Sequence, residues 1–379
     1  MRLLLLAHAP VIHTQVWARA LETRGHEIRL LTLDAAPGAA HPGRAVGARF
    51  PVTALRVASA VGAVRREIRD FRPDVTVAHF LPDYGFLAAL SGARPLFLVC
   101  WGSDLLRNAT KTPLHRARAR YTLSRADVVH VDAAVLAAAA VRLGAPTGRV
   151  WNRPWGVDVD ALAPTGSWGA RRARGGNGGA LRLLWTRRLD GLYRPEVFVD
   201  ALARLRAMGV PFVATLAGDG ALRPALEDRA RSGGVADAVR FLGWVGESEL
   251  RGLLAAHDVY VSLSRSDSTS QSLLEAMAAG LVPVVSDIEG NREWVTHRRE
   301  GYLVPGDDSE AVAYAIAEIA AAEISMTGTS PAGMDPLADP VGMAARAQTL
   351  AARRARFDDT VGETESRLAA LSGLRGREN

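Results

Sequence analysis

LRLLWTR, residues 181–187, repeats halfway along the chain the pattern of RLLLLAH at residues 2–8. Both are short apolar runs closed by a basic residue or a histidine, the look of a strand buried on both faces of a parallel sheet. A helical pattern and then another strand follow each of them. In the first half the order is strand 2–7, helix 14–24, strand 27–33, helix 58–71, strand 74–79, helix 84–90, strand 95–100, helix 113–124 and strand 127–131. In the second half it is strand 181–185, helix 196–208, strand 211–217, helix 221–232, strand 238–241, helix 247–255, strand 258–262, a helix ending at Gly280, strand 282–285 and helix 309–322. Such alternation means parallel sheets covered by helices, and it occurs twice. The fold class expected is α/β, with two doubly wound domains.

Length agrees, since 379 residues exceed one ordinary core. Charged and hydrophobic fractions of 23% and 48% are those of a globular protein. The run Leu3 to Leu6 is far shorter than the roughly 20 apolar residues that span a bilayer, and no signal-peptide cleavage pattern follows it. Cys100 is the single cysteine, which excludes a disulfide framework and a Cys-rich zinc site. A cytoplasmic chain is expected. Residues 1–165 carry 21 Arg and Lys against 12 Asp and Glu, and residues 166–379 carry 25 against 28. The excess on the N-terminal side suits an anionic partner, and the arginines of helices 58–71 and 113–124 suit contact with the inner face of a membrane. TGSWGARRARGGNGG (165–179) reads as a surface loop between the halves, and SMTGTSPAGMDPLADP (325–340) as an irregular stretch before a terminal helical segment near 342–371. The domains expected are 1–164, 165–345 and a returning helix at 346–379.

In open α/β sheets ligands sit beyond the carboxyl ends of the strands. SRSDSTSQSLLEAMAAG (264–280) lies at such an end. A helix start carries unpaired amides and a partial positive charge, so it attracts an anion. Hydroxyls of Ser268, Thr269, Ser270 and Ser272 would surround a phosphate, Glu275 would accept from a ribose diol, and Asp267 from a sugar hydroxyl. The simpler reading is a multiply capped helix with two surface acids. Arg187, Arg188 and Arg194 follow strand 181–185, where arginines would neutralise a diphosphate. AGDGALR (217–223) begins like a dinucleotide fingerprint but has Arg223 at the third glycine position, so a packing turn is the expected role. Asp158-Val159-Asp160 spells a D-x-D with no neighbouring third ligand, and no metal is expected. In the first half His13, His79 and the run Trp101-Gly102-Ser103-Asp104 occupy strand ends.

With these residues in view, the chain resembles the retaining nucleotide-sugar glycosyltransferases of glycosyltransferase family 4. The likeness is strongest over VATLAGDGALRPALEDRA, VRFLGWV, LRGLLAAHDVYVSLSRSDS, SLLEAMAAGLVPVVSD and GYLVPGDD, in that order, between 213 and 308. FRPDVTVAHF, WGSD and PWGVD carry it in the first half. The resemblance implies a GT-B fold: two Rossmann-like domains facing across a cleft, with a C-terminal helix returning to the first. It implies donor contacts at Glu275, Ser268, Thr269, Ser270, Gln271, Ser272, Arg187, Tyr193, Gly218, Gly243 and Trp244. Catalytic roles fall to Asp267, Arg188, Arg194, His13 and Asp104, and acceptor contacts to His79, Trp101, Gly102 and Ser103. Asp267 replaces the first glutamate of the family's E-x7-E motif, Ser268-Thr269-Ser270 replace its glycine-rich loop, and Tyr193 stands where its diphosphate lysine is usual.

The implied reaction moves a sugar from a nucleoside-diphosphate sugar to a small-molecule, lipid-linked or glycan acceptor, retaining the anomeric configuration, with no cofactor, metal or nucleic acid. The rival readings are a GT-B nucleotide-sugar epimerase using His13, His79 and Asp104, and a non-catalytic nucleotide-sugar-binding protein.

Overall fold

The computed structural model describes residues 1–48, 50, 53–174, 179–326 and 338–375. Parts of the stretches expected to be irregular, 175–178 and 327–337, lie outside the described residues. The contacts divide the chain into two units, 1–154 with 358–379, and 155–357.

The first unit is built on β1 (Arg2–Leu6), β2 (Glu27–Thr32), β3 (Arg44–Ala45), β4 (Val75–His79), β5 (Leu96–Val99), β6 (Val128–Val131) and β7 (Val150–Asn152). All pair in parallel, in the order β3-β2-β1-β4-β5-β6-β7. The inner strands are apolar along their length because helices cover both faces: every residue of β4, β5 and β6 is buried. Leu4, Leu6, Ala78, Leu98 and Val129 share one core with Leu87 and Leu123 of the covering helices. The helix Phe357–Arg375 belongs to this unit from Asp358 onward. Thr360 donates to the Pro154 carbonyl (3.0 Å), Glu365 meets His26 (3.0 Å), and Arg367 lies over the Trp151 ring at 4.6 Å.

The second unit repeats the plan with β8 (Leu181–Trp185), β9 (Phe212–Leu216), β10 (Val239–Phe241), β11 (Val259–Ser262), β12 (Val282–Ser286) and β13 (Tyr302–Val304). Their parallel order is β10-β9-β8-β11-β12-β13, so in both units the order reverses beside the first strand. Side chains alternate across the sheet: Leu181, Leu183 and Trp185 enter one core, Leu184 and Tyr260 the other. Pro283 is tolerated in an inner strand because pairing with β13 begins only at Val284, and Gly301 leaves it room, its added Cβ falling 2.6 Å from the proline ring.

Four expectations are corrected. The segment 165–179 is not all loop: Trp168–Arg174 is a helix. Its Arg171 is buried, donating to the carbonyls of Leu254 (3.3 Å), His257 (3.1 Å), Ala279 (3.1 Å) and Gly280 (2.8 Å), the free ends of two helices. The terminal helical segment is two helices, Pro340–Arg354 and Phe357–Arg375. They part where Val157 bridges to Arg356, its amide donating to the Ala355 carbonyl at 2.7 Å. For the same reason the units divide at Pro154 and Phe357, not at 164 and 345: Val157, Val159 and Leu162 pack in the second core. Finally, the helix Ala134–Arg142, apolar up to its closing arginine, and the two- and three-residue strands β3, β7 and β13 were absent from the sequence reading. Among the described residues no helix is long and apolar enough to cross a membrane.

Arg171→Met keeps the volume but leaves four buried carbonyls without their cation. It is expected to lower the stability of the second unit by about 3 kcal/mol in urea unfolding, whereas Arg172→Met should cost less.

Candidate functional site

At the reversal point of the second sheet, β8 and β11 end side by side, and the loops leaving them meet over one guanidinium. Arg187 reaches Asp267 Oδ2 at 2.6 Å and donates to Ser270 Oγ and Ser272 Oγ, both at 3.0 Å. Its guanidinium lies 4.2 Å from the centre of the Tyr193 ring. Tyr260, buried on β11, completes the set by bonding Ser272 Oγ at 2.7 Å. The Arg187 carbonyl is itself held by Trp185 Nε1 at 2.8 Å. Gly218 is glycine for the same packing: a Cβ there would fall 2.2 Å from that carbonyl oxygen, and one at Gly220 would fall 2.3 Å from the Leu189 oxygen. The glycines that start like a dinucleotide fingerprint thus press one loop onto another.

Ser270 caps the helix Gln271–Ala278, accepting from the Leu273 amide. Thr269 accepts from Trp294 Nε1 at 3.3 Å, and Ser268, Thr269 and Ser270 are all buried. Gln271 donates to the Gly156 carbonyl at 2.5 Å, tying the helix to the start of the unit. The hydroxyl run is therefore used by the protein itself, in capping the helix and fixing the loop before it. Glu275, just over one turn into the helix, is the exception. Its carboxylate takes no hydrogen bond from the described residues, and burial pushes its pKa up to about 7, against the pull of Arg187 and with a further push from Glu247. Asp267 is also raised by burial, with Arg187 opposing.

The expected diphosphate arginines part company. Arg188 is three-quarters exposed at the strand end and meets Asp190 at 3.2 Å. Arg194 takes a left-handed backbone (φ 54°) and points its largely buried guanidinium at the loop of Gly306 and Asp307, 3.9 Å from the Asp307 carboxylate. Tyr193, which stands where the family's diphosphate lysine is usual, supplies a ring beneath Arg187. Trp244 is 82% exposed beyond β10, after Gly243 in a left-handed turn (φ 78°). The D-x-D acids are engaged elsewhere: Asp158 caps a helix through the Ala161 amide (3.0 Å), and Asp160 pairs with Arg356.

The reversal point of the first sheet holds a cavity of about 290 Å³. His8 comes from the end of β1, Leu33 and Asp34 from β2, His79 and Phe80 from β4, and Trp101 from β5; Arg56, Asp83 and Tyr84 complete its polar wall. Phe80 adopts φ 70° and opens a π-helical turn, Phe80–Gly85, a distortion that recurs at functional sites. Trp101 is met edge-on by His13 (6.0 Å) and His79 (5.9 Å). Burial lowers the pKa of His13 and pushes that of His79 down to about 3, so His79 is neutral at pH 7. Ser103 is exposed, while Gly102 is buried in a left-handed turn (φ 94°).

Asp104, expected as a catalytic group, is held by the backbone of the loops it joins. It is wholly buried and accepts from the amides of Leu81 (3.1 Å), Trp101 (3.0 Å) and Leu105 (2.9 Å), pinning the loops after β4 and β5. Sequence reasoning missed Asp34, Arg56, Asp83 and Tyr84. Asp34 alone carried a signal, standing directly after a strand.

Similarity to known proteins falls on the same two units. The family described as Glycosyl transferases group 1 matches residues 180–322, and the Glycosyl transferase 4-like domain matches residues 9–154. D-inositol 3-phosphate glycosyltransferase 2 of Catenulispora acidiphila is 35% identical over 187 residues, 47% of this chain and 44% of that protein. The chain thus matches less than half the length of that relative. The GDP-mannose-dependent alpha-mannosyltransferase of Mycobacterium tuberculosis is 28% identical over 308 residues, 76% of this chain and 78% of the relative. Among solved structures, HepE of Anabaena in complex with UDP superposes with a TM-score of 0.74 at 20% identity, covering 97% of this chain and all of the other.

The raised carboxyl of Glu275 has a consequence for stability. A folded pKa above the ordinary 4.5 means that the native state binds more protons than the unfolded chain between 4.5 and about 7, so this group's contribution falls as pH rises through that window. Glu275→Gln should therefore gain stability relative to wild type from pH 4.5 to 8 in urea unfolding. A constant difference across the window would contradict the burial of that carboxylate.

Proposed function

The chain belongs to the GT-B glycosyltransferases of the glycosyltransferase family 4 type, and from that premise we propose that it moves a sugar from a nucleoside-diphosphate sugar to an acceptor hydroxyl, retaining the anomeric configuration and needing no metal. The observation that carries the reading is Glu275, a carboxylate that takes no hydrogen bond from the described residues, on the first turns of the helix beyond the reversal point. A carboxylate so placed accepts two hydrogen bonds from a ribose diol, which repays its desolvation. The start of the same helix offers amides and positive potential to the diphosphate.

Chemically, the bond from the anomeric carbon to the phosphate oxygen breaks, and the diphosphate leaves with its electron pair. The acceptor oxygen attacks the same face, and its proton passes to the departing phosphate oxygen. The protein's work is positioning and charge stabilisation. Arg188, exposed at the strand end, is the arginine available to the leaving diphosphate. Arg187 instead holds Asp267 in place for a sugar hydroxyl.

HepE was solved with UDP and with UDP-glucose, whereas the mycobacterial relative is named for GDP-mannose, so both bases belong in the test. Thermal unfolding with UDP-, GDP-, ADP- and dTDP-sugars and with NAD, all in EDTA, should single out one nucleotide sugar. At about 100 times its dissociation constant the ligand adds roughly 2.7 kcal/mol to the native state. Stabilisation by NAD alone would overturn the reading, and a requirement for added metal would overturn the metal-independent scheme. Proton NMR of the product should then show the donor's anomeric configuration.

A further inference from the structure

We infer that the cavity at the carboxyl edge of the first sheet takes a neutral polyhydroxylated ring, a sugar or a cyclitol, and discriminates against the phosphorylated form of the same ring. Its role as the acceptor subsite rests on the transferase reading above; its ligand chemistry does not. A volume of about 290 Å³ lies at the lower end for ligand pockets and suits one ring rather than an extended chain. Trp101 and Phe80 give it apolar walls on which the C–H faces of such a ring rest. Asp34, Asp83 and the Tyr84 hydroxyl supply the polar lining, and two carboxylates are acceptors suited to ring hydroxyls.

The charges decide between neutral and phosphorylated rings. Arg56 is the guanidinium in the lining, and it is already bonded to Asp34 Oδ1 at 2.6 Å and to the Leu33 carbonyl at 2.8 Å. Arg118 behind the wall faces Asp83 at 3.4 Å and stacks over Phe86 at 4.4 Å. His8 lies 3.8 Å from Asp34, so a proton there would also meet a carboxylate. Each cation near the cavity therefore has its acid, and a phosphate entering would have to displace Asp34 from Arg56 while facing Asp83. The surplus of 21 Arg and Lys over 12 Asp and Glu in residues 1–165 does not extend into this cavity.

Saturation-transfer NMR on the full chain, without donor, tests the inference with glucose against glucose 6-phosphate, mannose against mannose 6-phosphate, and myo-inositol against inositol 1-phosphate. At least one neutral ring should bind about tenfold more tightly than its phosphorylated partner, and Trp101→Ala should abolish its signal. Asp34→Asn leaves Arg56 without its acid and should narrow or reverse the preference. A phosphorylated ring preferred by the wild type, no neutral ring binding, or an unchanged preference in Asp34→Asn would each overturn it. Failure of the transferase reading would register separately, as absence of donor turnover.

Discussion

A largely buried guanidinium at the end of a strand needs acceptors, and the two terminal nitrogens of Arg187 obtain them from residues some eighty positions along the chain. Asp267, Ser270 and Ser272 come from the loop and helix after β11, and Tyr193 from the segment after β8. The two loops that flank the reversal point of the sheet are thereby fixed to each other. Both carboxylates of the site depend on this one cation. Asp267 is oriented by it directly, and Glu275 feels it through space. Beside this cation lies Glu275, whose carboxylate takes no hydrogen bond from the described residues.

Much of this plan was legible in the sequence. The buried strands were, because a parallel strand covered on both faces is a plain apolar run, and the helices between them were, through their periodicity. The family motifs from 213 to 308 made the second unit the more readable of the two, and Glu275 was found by its spacing from Asp267.

What escaped the reading was decided by tertiary contact. Seven residues at 168–174 look like a basic linker, yet Trp168 and Arg171 are pulled inward by the backbone oxygens of Asp258 and of two helix ends. Among Arg187, Arg188 and Arg194, composition cannot say that Arg188 alone stays exposed while the other two turn inward, toward Asp267 and toward Asp307. Asp104 looked like an acid in reach of substrate because it follows a strand, but three backbone amides converge on it. The two acids and the arginine of the first cavity come from three segments that only the sheet order brings together.

The central claim is that the Glu275 carboxylate, held near neutrality by burial, receives the nucleotide ribose. It is tested most directly by the dissociation constant of the nucleotide sugar between pH 6 and pH 8, in the wild type and in Glu275→Gln. With a pKa of about 7, the wild type should bind about tenfold more tightly at pH 8 than at pH 6, while the variant binds weakly with little dependence on pH. A wild-type affinity that does not change with pH, or two profiles of the same shape, would contradict it.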